Sequence, residues 1–320
     1  MKKILFILLL CFLFFSCVTS PVERKHFSVT KNLSESLQTE EKTPLLKIYF
    51  PEFYDITGDV YEGDGTLIIL PDNKVILVDG FESACSESIM DFLRSLNISK
   101  IDYLIGTHYH ADHIGTFSDI IANFEIGNLY TNGAPINNNV TPGFLEAIDE
   151  YQIKHIILKE GDELDLFEGC HAKIFWPTLT EKDIYDVMYK DSRTAEKINM
   201  TSLVTKIIFK DFSLLLPGDV YKAGEKQIVQ KYGSEIKSTI SKASHHGDWY
   251  TANLPEFVNT VKADYAVIQD NRYITSKINR IYKKAGSKIL YRLTPGYILI
   301  TTDGSSYTVS EKSFSKKVKN

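Results

Sequence analysis

The sequence predicts an α/β fold in which two β-sheets pack face to face and helices cover the outer side of each, an α/β/β/α sandwich. Short apolar runs of strand length recur along the chain and are separated by turn residues. Segments with helical periodicity lie between these runs instead of forming a separate block. The folded part is long enough to bury a large core, so the layout favours one layered domain.

Residues 1–17 have the pattern of a signal peptide. Lys2 and Lys3 precede an apolar run, Ile4 to Phe15, that is too short to span a bilayer comfortably. The run ends at Ser16-Cys17, which resembles the lipobox of bacterial lipoproteins, in which the cysteine is acylated. We therefore expect an extracytoplasmic, membrane-anchored lipoprotein. The alternative is ordinary signal cleavage near Ser20, which would give a secreted protein.

The rest of the chain divides into three parts. Residues 18–45 are rich in Ser, Glu, Lys and Thr without a sustained apolar period, which predicts a flexible tether. The folded domain is expected over residues 46–310, and residues 311–320 are expected to form a basic tail.

Composition argues against two classes of protein. Only Cys85 and Cys170 fall inside the domain, and neither has metal-site spacing, so we expect structural cysteines and no disulfide framework. The net charge of -5 gives no electrostatic sign of tight nucleic-acid binding, and weak contact with a polyanion through local patches stays open.

The predicted elements alternate along the domain. The expected strands are Lys47-Phe50, Thr66-Leu70, Val75-Val78, Tyr103-Gly106, Asn128-Thr131, His155-Leu158, Ala172-Trp176, Ser202-Phe209, Ser213-Leu216, Ser238-Ser241, Tyr265-Ile268, Ile289-Tyr291 and Tyr297-Thr301. The expected helices are Glu87-Leu96, Ile114-Asn123, Pro142-Tyr151, Gly224-Tyr232, Pro255-Val261 and Ser276-Ala285.

A cluster of possible metal ligands follows the predicted strand Tyr103-Gly106, in the order H-x-H-x-D-H. His108 and His110 are two residues apart, so in extended geometry they point the same way and can share one ion. Asp112 and His113 follow as the chain turns towards a helix, where they can address a second ion. Imidazole and carboxylate in this mixture suit Zn, Mn or Fe.

Two further strand ends carry related residues. The predicted strand ending at Leu216 continues as Pro-Gly to Asp219, and a carboxylate there can bridge two metals roughly 3.5–4 Å apart. Another strand end carries the adjacent histidines His245 and His246, followed by Gly247. Gly-Asp after a strand is a common turn, and a lone His-His pair is more often at the surface. Together and in this order, the three segments indicate a two-metal site.

This order of motifs resembles the metallo-β-lactamase fold superfamily, and most closely the extracytoplasmic hydrolase domain of ComEC-type DNA-uptake proteins and the phosphorylcholine esterases. The resemblance covers roughly Lys47 to Val309 and implies the α/β/β/α sandwich and a metal-dependent hydrolase. Other matching segments are Gly63-Asp64-Gly65-Thr66-Leu67-Ile68, Val75-Ile76-Leu77-Val78-Asp79-Gly80, Asp270-Asn271-Arg272-Tyr273 and Leu293-Thr294-Pro295-Gly296.

The resemblance implies a role for each candidate residue. His108 and His110 would hold one divalent metal, Asp112 and His113 a second, and Asp219 both, with zinc expected first and manganese or iron as alternatives. His246 is favoured as one more ligand of the second metal because it precedes the glycine. His245 would then face the substrate or the developing charge, although the two histidines could be exchanged. Asp79 matches a carboxylate that orients a ligand by hydrogen bonding. Asp112, His245 and Asp79 are the residues expected to take part in catalysis.

The sequence departs from the family pattern at one point. Many members carry another histidine between the first motif and the Gly-Asp, and the candidates here, His155 and His171, lie in plain strand contexts. We therefore expect the first metal to be weakly held, with water or Asn199 in its shell. Occupancy by a single metal is the alternative.

The implied reaction is hydrolysis by a metal-bound hydroxide. The substrate expected first is a phosphodiester, either in nucleic acid or in a phosphorylated envelope component. The expected partners are such a small-molecule or nucleic-acid substrate and, through a lipid on Cys17, the membrane; no protein partner is indicated. Trp249, Tyr250 and Tyr273 could form an aromatic wall for a choline-like cation or a base, or could simply be packing residues. The alternatives are an amide, lactone or thioester hydrolase of the same fold, and a non-catalytic lipid-anchored binding protein.

Overall fold

The computed structural model describes residues 45–53, 63–189, 195–270 and 274–314, which all belong to one unit of the chain, Thr43–Asn320. The predicted signal peptide with Cys17, the tether apart from Leu45, Tyr273 and residues 315–320 lie outside the described residues. None of the helices in the described ranges combines the length and apolar character needed to traverse a bilayer.

Short strands and helices alternate along this unit, as the apolar pattern predicts. The strands are β1 (Leu46–Glu52), β2 (Thr66–Ile69), β3 (Val75–Val78), β4 (Lys100–Gly106), β5 (Glu125–Thr131), β6 (His155–Ile157), β7 (Glu163–Phe167), β8 (Cys170–Trp176), β9 (Val204–Phe209), β10 (Phe212–Leu216), β11 (Ile240–Lys242), β12 (Tyr265–Val267), β13 (Lys288–Leu290), β14 (Gly296–Thr302) and β15 (Tyr307–Ser313). The helices are α1 (Ser86–Ser95), α2 (Ala111–Ile114), α3 (Phe117–Asn123), α4 (Thr141–Glu150), α5 (Glu181–Tyr189), α6 (Ala195–Asn199), α7 (Lys222–Tyr232), α8 (Pro255–Val261) and α9 (Ser276–Ala285).

The strands form two mixed sheets. Within the described ranges, the first sheet has eight strands in the order β15-β14-β1-β2-β3-β4-β5-β6, and the second has seven in the order β13-β12-β11-β10-β9-β8-β7. Strands β3 to β6 pair in parallel, and so do β10 to β13. The remaining pairs are antiparallel.

The first sheet is covered on both faces, because alternate residues of its strands enter different cores. Leu67 and Leu77 pack in an outer core with α1, α3 and α4. Their neighbours Ile68 and Ile76 point the other way, into a core shared with β8, β9 and β10 of the second sheet. This inner core holds the two sheets face to face.

The second sheet buries its other face under α7, α8 and α9. Ile228 and Phe257 pack there against Leu215 of β10, and Ile278 packs beside Ala266 of β12. The layers therefore run helix, sheet, sheet, helix, which confirms the predicted α/β/β/α sandwich.

Several elements differ from the expectation. The helix predicted at Ile114-Asn123 is divided into α2 and α3 around Gly115, where a Cβ would lie 2.4 Å from the carbonyl oxygen of Ala111 and 2.5 Å from the Ser83 nitrogen. The sequence did not predict β7, β15, α5 or α6. Both missed strands lie at sheet edges, where charged and polar residues interrupt the apolar pattern. Strand β15 also continues to Ser313, past the domain end placed at residue 310.

Four strand ends meet where the candidate ligands lie. In the first sheet, β3 ends before Asp79 and its parallel neighbour β4 ends before Thr107. In the second sheet, β10 leads to Asp219 and its parallel neighbour β11 leads to the His245-His246 segment. The carboxyl ends of both parallel pairs thus supply the groups described next.

Candidate metal centre

The first two histidines lie on the segment that links β4 to α2. His108 is fully buried, and its Nε2 atom lies 2.9 Å from Nδ1 of His110. Both are close enough to Asp219 for the three residues to share one ion, and we call them the first donor set. The structure therefore brings His108, His110 and Asp219 together, as the resemblance implies.

Asp112 and His113 lie on α2, which begins at Ala111, earlier than the helix start expected near Ile114. His113 Nε2 lies 3.2 Å from Asp219 Oδ2 and 3.9 Å from Asp112 Oδ2. The helical turn thus places a carboxylate and an imidazole beside the first donor set.

Asp219 is the centre of the cluster. It follows Gly218, whose φ of +54° favours glycine and where a Cβ would lie 3.0 Å from the Ser202 side chain. The Ser202 hydroxyl accepts a hydrogen bond from the Asp219 backbone nitrogen at 3.1 Å. The Nε2 atoms of four imidazoles surround Asp219 Oδ2, at 3.2 Å for His113, 3.5 Å for His246, 3.7 Å for His245 and 3.9 Å for His108.

The adjacent histidines sit in a strained turn after β11. His245 and His246 have φ angles of +45° and +53°, which side chains other than glycine rarely adopt. The turn is held by His245, whose backbone nitrogen donates to the Gly218 oxygen at 3.0 Å and whose oxygen accepts from Asp248 at 2.8 Å. Because two consecutive residues adopt this conformation, both imidazoles face Asp219.

His246 joins the Asp112 side of the cluster. Its Nε2 lies 3.2 Å from Asp112 Oδ2, and its Nδ1 lies 3.1 Å from Asp64 Oδ1. We call Asp112, His113, Asp219 and His246 the second donor set. His245 stands on the other side, with Nδ1 2.7 Å from Thr251 Oγ1 and Nε2 3.4 Å from Asn199 Nδ2.

Asp79 orients His113. One of its oxygens accepts from the Thr107 backbone nitrogen, and the other accepts from the Thr107 hydroxyl, each at 2.8 Å. That second oxygen also lies 2.9 Å from His113 Nδ1 and accepts a hydrogen bond from it, so a cation in the cluster would bind the ring through Nε2.

Asp64 belongs to the site, although sequence reasoning did not name it as a site residue. It is close enough to His113, Asp219 and His246 to share an ion with them. Its oxygens, however, face the buried Lys242 ammonium group and His246 Nδ1. We therefore infer that Asp64 orients the His246 ring. The sequence feature that could have indicated Asp64 is the glycine before it. A Cβ at Gly63 would lie 2.2 Å from the Asp112 backbone oxygen, so glycine is needed where this segment approaches α2.

Burial lowers the pKa of three imidazoles. The pKa of His108 is held well below its usual range by burial and by the neighbouring His113 and His110. Burial also lowers the pKa of His110 and of His245. These three rings are neutral near pH 7, which is the state a metal ligand needs.

The other two imidazoles are protonated in the absence of a cation. Burial alone would lower the pKa of His113 and of His246, but nearby carboxylates, with Asp219 acting on both, raise it well above the usual range. Burial likewise opposes ionisation of Asp219, yet these two imidazoles hold its pKa well below the usual range. A bound divalent cation would replace one proton on each of these imidazoles and would itself stabilise the negative charge of Asp219.

The residues fit divalent cations. Asp219 Oδ1 and Asn199 Oδ1 are buried and have no hydrogen-bond partner within the described ranges, although such groups are normally paired. Imidazole nitrogens and carboxylates from both sheets converge there, a mixture that suits zinc, manganese or iron. The first and second donor sets share Asp219, so the cluster can hold two ions side by side.

Neither additional histidine candidate reaches the cluster. His155 on β6 places Nε2 2.7 Å from Thr131 Oγ1, which lies 3.0 Å from the hydroxyl of Tyr109, between His108 and His110. Through Thr131 and Tyr109, His155 therefore supports the segment that carries His108 and His110. His171 on β8 pairs with Asp165 and Ile208 in the second sheet.

The two described residues of the expected aromatic wall lie just past the histidine turn. The rings of Trp249 and Tyr250 are 3.8 Å apart, and Tyr250 is 72% exposed. Trp249 is also covered by Lys277, whose Nζ lies 5.2 Å from its ring centroid. The exposed ring is therefore that of Tyr250.

Comparisons with known proteins agree with this geometry. The sequence model of the metallo-beta-lactamase superfamily matches residues 59–134. Competence protein ComA of Neisseria gonorrhoeae is 22% identical over 237 residues, which cover 72% of this chain and 30% of ComA. ComE operon protein 3 of Bacillus subtilis (strain 168) is 25% identical over 189 residues, which cover 58% of this chain and 22% of the relative. The chain thus matches less than a third of the length of these relatives.

A solved structure shares the fold. The metallo-beta-lactamase fold protein YhfI from Bacillus subtilis superposes with a TM-score of 0.51 at 10% identity, over 80% of this chain and 99% of that chain. At this identity the likeness concerns the fold alone. Taken with the sequence model matched over residues 59–134, it shows that the chain is similar to the metallo-β-lactamase superfamily in that segment and in its fold.

Proposed function

We propose that this chain is a phosphodiesterase that cleaves nucleic acid or a phosphorylated envelope component outside the cytoplasm. It would use two divalent metal ions, of which zinc is the first expectation. The observation that carries the proposal is the position of Asp219, a buried carboxylate shared by two donor sets. Paired cations that share a carboxylate suit the in-line displacement at phosphorus, because one side can bind the attacking oxygen and the other the leaving oxygen. The resemblance to ComEC-type DNA-uptake proteins, with a competence protein among the relatives, supports a nucleic-acid substrate.

The chain's own residues have distinct tasks in this proposal. His108, His110 and Asp219 would hold one ion, and Asp112, His113, Asp219 and His246 the other. Divalent ions there supply Lewis acidity and make a nucleophile available from water near neutral pH. Asp79 keeps His113 in the tautomer that leaves Nε2 unprotonated, and Asp64 does the same for His246.

The rim of the cluster offers groups for the substrate. The Tyr221 ring lies 5.1 Å from that of His245, and its polar hydroxyl is near the buried amide of Asn199. These neutral groups can hydrogen-bond to phosphoryl oxygens without adding negative charge. The exposed ring of Tyr250 can stack on a base or receive a choline-like cation.

The proposed site of action rests on the first 17 residues, whose pattern predicts export and acylation of Cys17. Replacing Cys17 with alanine should release the protein from the membrane fraction while leaving its hydrolytic activity unchanged. Retention of the variant in the membrane fraction would contradict the lipid anchor.

Activity is tested with the purified full-length chain, after its metal content has been measured. The substrates are a bis-aryl phosphate, single-stranded DNA, a phosphorylcholine ester and a β-lactam. We expect metal-dependent turnover of at least one phosphodiester and a loss of about 1,000-fold or more in Asp219→Asn, because the shared carboxylate is removed. Turnover of the β-lactam alone would overturn the proposal. Equal turnover by the wild type and Asp219→Asn would show that the metal centre takes no part in the reaction.

A further inference from the structure

His245 is oriented by a hydroxyl and a carboxylate outside both donor sets. The Thr251 hydroxyl donates its proton to Asp248 Oδ2 at 2.6 Å, because an ionised carboxylate can only accept. Thr251 Oγ1 must therefore accept the hydrogen bond that joins it to His245 Nδ1 at 2.7 Å. The ring proton is on Nδ1, so Nε2 is the atom that offers a lone pair.

His108 is held by the same kind of chain. The Thr107 hydroxyl donates to Asp79 Oδ2 at 2.8 Å and so accepts from His108 Nδ1, which lies 3.2 Å away. The two chains, Asp79-Thr107-His108 and Asp248-Thr251-His245, come from different sheets, yet each fixes the tautomer that leaves Nε2 unprotonated.

Both Nε2 atoms point to the same carboxylate oxygen. Asp219 Oδ2 lies 3.9 Å from His108 Nε2 and 3.7 Å from His245 Nε2. His245 Nε2 also lies 3.4 Å from Asn199 Nδ2, an amide donor, which agrees with a lone pair at that atom. A ring with this tautomer is suited to bind a cation and unsuited to donate a proton or hydrogen bond to a developing negative charge.

The first donor set has one residue fewer than the second. It contains His108, His110 and Asp219, whereas the second donor set, as defined above, contains Asp112, His113, Asp219 and His246. Among the described residues, the two other histidines, His155 and His171, do not supply a further ligand, since their partners lie in the sheets.

We propose that His245 is the third imidazole ligand of the ion held by His108, His110 and Asp219, with Thr251 and Asp248 as its positioning residues. This role replaces the contact with substrate expected from the sequence. It rests on the two-metal centre of the proposed function but not on the substrate, so a different substrate class would leave it unchanged.

Zinc binding to the full-length protein, followed by competition with a chelator, tests the assignment without any substrate. His245→Ala should weaken one of two binding steps by about 100-fold or more, and Thr251→Val should weaken the same step by about 10–100-fold. The other step should change less than about threefold, because the second donor set is intact. Cobalt(II) provides an independent readout, since loss of a nitrogen ligand weakens and shifts the visible absorption of that ion.

Thr205→Val is the matched control for Thr251→Val. Thr205 is buried on β9, and its hydroxyl makes no hydrogen bond in the part of the chain that the structure describes. This control should bind zinc as the wild type does. If Thr251→Val and His245→Ala both keep the two wild-type affinities and the cobalt spectrum, the proposal is wrong. Should His245→Ala fail to fold, Thr251→Val decides the question by the same two measurements.

Discussion

Three candidate ligand imidazoles each have an oxygen close to Nδ1, supplied by a distant residue in two cases and by the adjacent residue in the third. Asp79 serves His113, Asp64 serves His246, and Thr107 serves His108. Such partners set both the ring orientation and the basicity of the atom that binds the metal.

The sequence reveals the ligands themselves more readily than their partners. His108, His110, Asp112 and His113 stand within one short motif, so their spacing is readable. Asp64 is separated from His246 by most of the domain, and Thr251 resembles any polar loop residue. Only the fold brings these pairs together, so their roles could not be predicted from local pattern.

The role of Asp79 is tested by Asp79→Asn, which keeps the size of the side chain and tolerates its φ of +58°. We expect the affinity for zinc to fall about 10–100-fold, because the amide no longer holds the proton on His113 Nδ1 with a charge. The measurement is a chelator competition at constant pH.

The control is Asp162→Asn, at an exposed carboxylate that accepts from the Lys159 backbone nitrogen. Its zinc affinity should equal that of the wild type. Equal affinities in Asp79→Asn and Asp162→Asn would show that Asp79 has no part in orienting the ligand.

At the scale of elements, the apolar pattern locates buried strands well and edge strands poorly. Strand β3 and helices α8 and α9 occur where the sequence predicts them. Strand β15 was missed because its Thr-Val-Ser-Glu-Lys run contains little apolar signal and pairs on one side only. At the break between α2 and α3, Gly115 lies close to the Ser83 backbone, a contact that no local pattern contains.

Helix α7 supports the histidine turn through a buried acid. Glu225 is fully buried and accepts hydrogen bonds from the backbone nitrogens of Asn253 at 2.9 Å and Leu254 at 2.6 Å. Burial raises the pKa of Glu225 to about 7, although these bonds and the charge of Lys222 act in the opposite direction. The Tyr282 hydroxyl, which donates to Asn253 Oδ1 at 2.7 Å, completes this network.

This acid predicts a pH dependence of stability. A carboxyl whose pKa is raised in the folded state stabilises the fold at low pH, and this contribution is lost as the pH rises from about 4.5 to about 7. The free energy of unfolding of the wild type, relative to that of Glu225→Gln, should therefore fall by about 3 kcal/mol between pH 4 and pH 8. Urea denaturation of both proteins without metal measures the difference, and a constant difference would contradict the burial of an ionisable group.

At the scale of the whole molecule, two free cysteines lie in different hydrophobic cores, so their reactivity measures the opening of each core. Cys85 lies in the core between the first sheet and its helices, and Cys170 in the core between the sheets. Both are free and buried, and burial raises the pKa of the Cys85 thiol above its usual range and that of Cys170 to about 12.

We expect neither thiol to react with an aromatic disulfide in the native protein, because the reactive thiolate is both buried and scarce. If the domain opens as one unit, Cys85 and Cys170 should be modified at the same rate, and that rate should rise with denaturant. Peptide mapping by mass spectrometry separates them from the other cysteines of the chain. Rapid labelling of one thiol alone would show that one layer opens independently.

The metal donors come from both halves of the sandwich. His108 and His113 follow strands of the first sheet, whereas Asp219 and His246 follow strands of the second. A bound ion would therefore link the two layers, in addition to the apolar packing and the polar contacts, such as Lys242 with Asp64, that already join them. Each tenfold rise in free metal above the dissociation constant adds about 1.4 kcal/mol to the resistance of the native state to unfolding. Metal binding would therefore be expected to slow proteolysis of the protein, because a protease cuts the unfolded state.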